Sequence, residues 1–305
     1  MGTEIKIDLM ALSDIGGQPL RLAAEVHRQL RATHGDVPIP LPLDQLAKAV
    51  GIRQIEKRRT DAYEGALITD SDKTKGIVIV RDGMPLGRTR FTIGHELGHF
   101  LNPFHRAHSG TFECKSAGMT AWRDDGTKWN ERPIENRVEI EANEFSLSLL
   151  VPMPEFKRAR KTLAGCDIEH IVKLANEYEV SKEVMAGLYV NNAPEKIGII
   201  TSKDGCAMRF ILPREFPYLG MRKGMPLPAL SFARDFLTKA TPGAASELTE
   251  VRTDTWLDRR GSVTTLYEQT LAQQDGWALT MLVVDEAAED LGEDDDDSEW
   301  NRRAK

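Results

Sequence analysis

The stretch Arg90–Phe100 reads RFTIGHELGHF, with His95 and His99 four residues apart and Glu96 beside the first. On a helix, residues i and i+4 project from nearly the same face, so both imidazoles can reach one ion. Glu96 stands one step round, about 100° from His95, where it can hold a water at that ion rather than compete as a ligand. A metal-assisted hydrolase needs these parts. Two neutral imidazoles bind Zn²⁺, the metal brings the pKa of its water towards about 7, and a carboxylate takes the proton and delivers it to the leaving amine. The segment RFTI gives the helix an apolar side for burial. Gly94 and Gly98 flank the histidines. Glycine inside a helix costs about 1 kcal/mol against alanine, so close packing or substrate approach is needed to explain them.

A catalytic zinc usually takes three protein ligands and leaves one position for water. The arrangement HExxHxxGxxH is not met, because Asn102 replaces its glycine even though His105 follows. A second helix offers the alternative. ENRVEIEANEF, Glu135–Phe145, carries Glu135, Glu139, Glu141 and Glu144. Its apolar stripe Val138, Ala142, Phe145 and Leu149 sets the inward face and turns Glu144 outward, leaving Glu135, Glu139 or Glu141.

Towards the N-terminus, residues 18–33 space Leu20, Ala23, Val26 and Leu30 along one helical face. VPIPLPL breaks structure, and LDQLAKAVGI reads as a short helix ended by Gly51. EGALITD and KGIVIVRD follow as two strands joined by a polar turn through Ser71, Asp72 and Lys73. Beyond Phe100, residues 102–132 read as irregular, punctuated by Pro103, Gly110, Gly118 and Gly126. A helix then runs from Pro133 to Val151, stopped by Pro152 and Pro154. Three shorter helices follow, two with Asp167 and Ser181 as N-caps. From residue 195 the pattern changes to hairpins, KIGIITS–KDG–CAMRFILP and VTTLYEQTLAQQ–DG–WALTMLVVD, with a helix at PALSFARDFLTKA between them. The expected domains are therefore 1–194, 195–285, and an acidic disordered tail, 286–305.

The 305 residues suffice for two compact units. The net charge of −7 lies wholly in residues 285–305, which hold ten acidic and three basic residues; the rest holds 37 of each sign. A neutral body lacks the basic face that nucleic-acid binding requires. LANEYEVSKEVMAGLYV has the outline of a helix-turn-helix, yet residues 154–190 balance six basic against six acidic residues, so these helices are assigned to packing. No apolar run reaches the roughly 18 residues of a membrane span, and the N-terminus has no signal-peptide h-region. Three widely spaced cysteines, Cys114, Cys166 and Cys206, form no disulfide framework and no CxxC pair, and they fit a reducing cytoplasm.

Taken together, RTRFTIGHELGHF and EIEANEFSLSLLVP resemble the ImmA/IrrE family of zinc metallopeptidases, whose helices take the forms RxRFTxxHELGH and ExxANxFAxxLLxP. The resemblance extends over residues 20–190 and includes LPLDQLAKAVGI and EGALI. Carried over by position, it implies zinc ligands His95, His99 and Glu139 with Glu96 as catalytic base. It also places Asn143, one turn after Glu139, where it can orient a ligand. Ser146 stands where the family has alanine. The long gap between His99 and Glu139 is read as an insertion that forms a lid or shapes specificity. Its His105, His108 and Cys114 are read as solvated loop residues rather than as a transition-state donor or an inhibitory thiolate ligand.

The expected fold is α+β, a mostly helical zincin-like metallopeptidase domain with a small sheet, followed by a small mixed α/β domain. The resemblance implies a cytoplasmic zinc endopeptidase acting on a protein, commonly a helix-turn-helix repressor whose cleavage switches on stress or mobile-element genes. The GIVIVRD strand is expected to pair with extended substrate as a sheet edge. The C-terminal unit would sense a signal or recognise the partner. The rival readings are a non-proteolytic regulator that keeps zinc for structure and a DNA-binding repressor. Intact Glu96 speaks against the first and charge against the second.

Overall fold

The computed structural model describes residues 4–106, 110–115, 118, 128–258 and 265–285. The acidic tail and His108 lie outside the described residues. The chain is α+β. Its contacts divide it into two compact units, one drawn from residues 1–164 and 170–185 and the other from 165–169 and 186–305.

The first unit begins with the short helix α1 (Leu9–Ser13), α2 (Pro19–His34) and α3 (Leu43–Val50). Strands β1 (Ile52–Arg58), β2 (Gly65–Thr69) and β3 (Gly76–Arg81) follow, then α4 (Leu86–Leu101) with the HELGH motif, and β4 (Thr111–Cys114). Helices α5 (Ile134–Leu150) and α6 (Met153–Lys161) complete this run, and α7 (Ile168–Tyr178) and α8 (Lys182–Asn191) straddle the division between units. In α2 the buried arc is Leu22, Ala23, Val26 and Leu30. Leu20 is 62% exposed, because it lies two residues, about 200°, round the helix from Leu22. The Asp167 and Ser181 side chains accept hydrogen bonds from the backbone N–H of Glu169 (2.8 Å) and Val184 (3.1 Å), as N-caps should.

The sheet order is β1-β3-β2-β4, with β1 parallel to β3 and the other pairings antiparallel. This corrects two expectations. The GIVIVR segment is β3, an interior strand with partners on both sides, so its backbone groups are taken and it cannot receive a peptide. Its near-continuous apolar run suits that central place, where both faces are covered. The stretch 102–132 is not wholly irregular, since it supplies β4, the edge strand beside β2.

Helices α4 and α5 pack face to face, and the glycines of α4 explain how closely. A Cβ at Gly94 would lie 2.5 Å from Ser146 Oγ, and one at Gly98 would lie 3.2 Å from Ala142 Cα and 3.1 Å from the Phe145 ring. Ser146 uses this proximity to donate to the Phe91 carbonyl across the interface (2.7 Å). Close helix packing, one of the two reasons entertained for the glycines, accounts for both. Helix α2 reaches α5 from another side, where the His27 ring nitrogen Nε2 lies 3.0 Å from the Leu149 carbonyl oxygen.

The second unit is built on a five-stranded antiparallel sheet of order β6-β5-β9-β8-β7. In chain order its elements are β5 (Lys196–Lys203), β6 (Cys206–Ile211), α9 (Phe232–Leu237), β7 (Thr249–Val251), α10 (Thr253–Trp256), β8 (Thr265–Ala272) and β9 (Trp277–Asp285). Both expected hairpins are present. Asp204–Gly205 and Asp275–Gly276 all take positive φ, as type I′ chemistry requires, and Gln274 lengthens the second loop by one residue. Trp256 is buried in the core and donates from its indole to Glu268 (2.6 Å).

Because α4 meets α5 backbone to backbone at Gly98, Gly98→Leu should overpack the interface. Urea denaturation is expected to show a loss of about 1–3 kcal/mol, the usual scale for added methylenes in a tight core.

Candidate metal centre

His95, Glu96 and His99 on α4 are fully buried, each 0% exposed. Helical spacing brings the two Nε2 atoms within 2.9 Å of each other. From α5, Glu139 turns towards them, its oxygens 3.4 Å from His95 Nε2 and 3.5 Å from His99 Nε2. Of the carboxylates left open by periodicity, Glu135 is exposed and Glu141 faces His105 instead. The structure thus brings His95, His99 and Glu139 together, with Glu96 beside them on α4.

The hydrogen bonds behind the two rings determine what the rings present in front. Asn143 Nδ2 donates to the Gly118 carbonyl (2.9 Å), which leaves Asn143 Oδ1 to accept from His95 Nδ1 (2.8 Å). The proton of His95 therefore sits on Nδ1, and its Nε2 is a bare lone pair. A longer chain holds His99. His105 Nε2 lies 3.0 Å from Glu141 Oε2 and 2.9 Å from Asn102 Nδ2; with its N–H donated to the carboxylate, neutral His105 accepts at Nδ1 from His99 Nδ1 (3.1 Å). His99 Nε2 is then bare as well. Burial keeps these rings neutral, lowering His99 to about 3 and also lowering His105. For Glu139, burial favours the neutral acid, and its carboxyl falls below the usual range when the facing imidazoles of His95 and His99 carry the protons; with both Nε2 atoms bare, a cation must take that place.

Two imidazole lone pairs and a carboxylate converging on one point repel one another unless a cation lies between them. The spacing suits zinc. Bonds of about 2.0–2.1 Å at tetrahedral angles place N and O donors about 3.3–3.4 Å apart, close to the two Glu139 distances, while the two imidazole nitrogens, 2.9 Å apart, would have to separate slightly around the ion. Glu96 is the remaining anomaly, since neither of its buried oxygens accepts a hydrogen bond among the described residues. Burial pushes its carboxyl up to about 7 against the pull of His95. Beyond an interaction with the Cys114 thiol, this buried carboxyl carries an uncompensated desolvation penalty, which fits a group meant to meet water or substrate.

Several residues at this centre were not foreseen. Gly65 of β2 abuts Glu96, and a Cβ there would overlap the Glu96 carboxylate and Thr92. A Cβ at Gly118 would overlap the carboxylate of Glu139. Lys73 donates to the His99 and Asn102 carbonyls (2.6 and 2.7 Å) and so satisfies the C-terminal end of α4. His105 and Cys114 are each 1% exposed, which corrects their reading as solvated loop residues. His105 is held by the turn at Asn102 and by Glu141, and Cys114 by β4, whose alternation points Phe112 and Cys114 inward, where Phe112 stacks on the His99 ring (4.6 Å between centroids) and Cys114 Sγ lies 3.4 Å from His99 Nε2. Burial, with the charges of Glu96 and Glu139, pushes the Cys114 thiol well above its ordinary value.

Residues 47–187 match the family model of the IrrE N-terminal-like domain, Peptidase_M78. The match contains α4, β4 and α5 and agrees with the ImmA/IrrE resemblance of the paired motifs. A solved structure described as a Mycobacterium tuberculosis transcriptional regulator is similar at 14% identity, with a TM-score of 0.44, over 90% of this chain and 74% of that one. No curated protein sequence matches the chain. No helix among the described residues is long and apolar enough to cross a membrane.

The Glu141–His105–His99 chain makes a specific demand on metal affinity. Glu141→Gln should weaken zinc binding roughly tenfold or more, the usual effect of losing a carboxylate that orients a ligating histidine. Competition with a chromogenic chelator measures it.

Proposed function

We propose that the chain is a zinc-dependent endopeptidase with His95, His99 and Glu139 as ligands and Glu96 as general base, a reading supported by the match of residues 47–187 to the IrrE N-terminal-like domain. The observation that carries this reading is the convergence of two bare imidazole nitrogens and the Glu139 carboxyl group beside the buried Glu96. Zinc held there would polarise a peptide carbonyl and make water acidic enough to lose a proton near neutral pH. Glu96 takes that proton as the water attacks and delivers it to the departing amine. Asn143 and the His105–Glu141 pair keep the two imidazoles in the tautomer a metal requires. Thr92, Phe112 and the Gly65 backbone wall the centre from bulk water.

Substrate pairing belongs to β4 rather than β3. Strand β4 ends the sheet among the described residues and lies directly over His99, so an extended peptide adding to its free edge would run past the centre. The substrate we propose is a helix-turn-helix repressor whose loss switches on stress or mobile-element genes in the cytoplasm, a choice supported by the ImmA/IrrE resemblance. Residues 1–194 then form the catalytic domain and 195–285 the unit that senses a signal or recognises the partner. A cavity of about 450 Å³ in the second unit, bordered by Asp204, Arg234, Gln273 and Trp277, suits such a role. A zinc-holding regulator without catalysis would have no use for the buried carboxyl of Glu96.

Incubation of the full chain with candidate helix-turn-helix repressors of the same organism tests the proposal. Cleavage is expected with zinc, none with chelator, and a loss of roughly two or more orders of magnitude in Glu96→Gln. Candidates all left intact, or equal cutting by the variant, would sink the protease reading. Glu96 works as the anion, so the rate should rise with pH through its pKa. Burial, partly offset by His95 and Cys114, sets that limb at about 7, and the positive charge of bound zinc moves it lower.

A further inference from the structure

Cys114 Sγ joins the donor atoms of His95, His99 and Glu139 in one cluster, as a fourth candidate ligand. Its Sγ is 3.4 Å from His99 Nε2 and 3.8 Å from Glu139 Oε1. Bonds of about 2.3 Å to sulfur and 2.0–2.2 Å to nitrogen or oxygen, at tetrahedral angles, place sulfur about 3.5–3.7 Å from the other donors. The ligating atoms of His95, His99, Cys114 and Glu139 all fall within 4.8 Å of one another. The thiol is delivered by the sheet rather than by chance. Cys114 pairs in register with Gly65, the glycine whose missing side chain makes room for Glu96. It is buried, it belongs to neither catalytic helix, and its thiol interacts with the Glu96 carboxyl beside it.

Building on the zinc reading above, we propose that Cys114 coordinates the metal as a thiolate and fills the position that a catalytic site keeps for water. Four protein ligands make a closed site, the arrangement of structural zinc. The chain is then latent as folded. Activation breaks the metal–sulfur bond, returns a proton from solvent to the sulfur, and admits water beside Glu96. Strand β4 is suited to carry this change, because it holds Cys114 from the edge of the sheet. The strand that would pair with a substrate is thus the strand that withdraws the blocking ligand. Binding and unmasking become one event.

X-ray absorption at the zinc edge of the wild-type full chain tests the proposal without any variant. One sulfur at about 2.3 Å alongside nitrogen and oxygen scatterers is expected. Replacement of zinc by Co²⁺ should give an intense thiolate-to-cobalt charge-transfer band in the wild type. In Cys114→Ser that band should be lost while cobalt still binds, and the zinc-loaded variant should cleave its substrate faster than the wild type. Metal bound through nitrogen and oxygen alone overturns the thiolate ligand and leaves the three-ligand site standing. A wild-type chain that binds neither metal defeats the zinc reading itself.

Discussion

The close approach of α4 to α5 is the constraint on which the rest depends. Two histidines on one helix can hold a metal only if a third donor comes from elsewhere, and Glu139 arrives because α5 lies almost against the α4 backbone. Gly94 and Gly98 allow that distance, and Ser146 and Ala142 fill the space that side chains would otherwise take. Each glycine weakens the isolated helix by about 1 kcal/mol, which tertiary packing recovers. The alanine-to-serine departure at position 146 is part of this contact, since its hydroxyl bonds the Phe91 carbonyl at the crossing.

Around that helix pair, polar side chains set protonation rather than merely occupying the interior. Asn143 fixes one imidazole, and His105 with Glu141 fixes the other, each from behind. Burial then keeps His99 and His105 neutral. These are the states a zinc site needs before the ion arrives, because ligand protons would otherwise have to be displaced. Glu96 is treated differently, buried and raised to about 7, as suits a group that exchanges protons near neutrality.

The parts of the site legible in the sequence are those whose spacing is local. His95, Glu96 and His99 share one helix, and the stripe on α5 restricts the carboxylates to one side. Periodicity alone stopped at three glutamates, because which of them meets the histidines depends on how two distant helices cross. Strands β1 and β4 escaped for related reasons. IRQIEKR is charged and barely alternates, and TFEC is four residues long within a glycine-punctuated stretch, so only sheet pairing identifies either. With β4 unseen, Phe112 and Cys114 had no reason to be buried. His105 could be noticed as a histidine six residues past His99, yet its role behind that ring follows from the turn at Asn102 and from Glu141 across the gap. The central place of β3 did leave a trace, in an unbroken run of apolar residues that an edge strand seldom carries.

The account stands on Glu139 completing a zinc site from the second helix. Zinc content and affinity of the full chain, measured beside Glu139→Ala by metal analysis and chelator competition, address that claim most directly. One zinc per chain in the wild type and a severe loss of affinity in the variant is the expected result. Undiminished zinc binding by Glu139→Ala would contradict it and move the third ligand elsewhere.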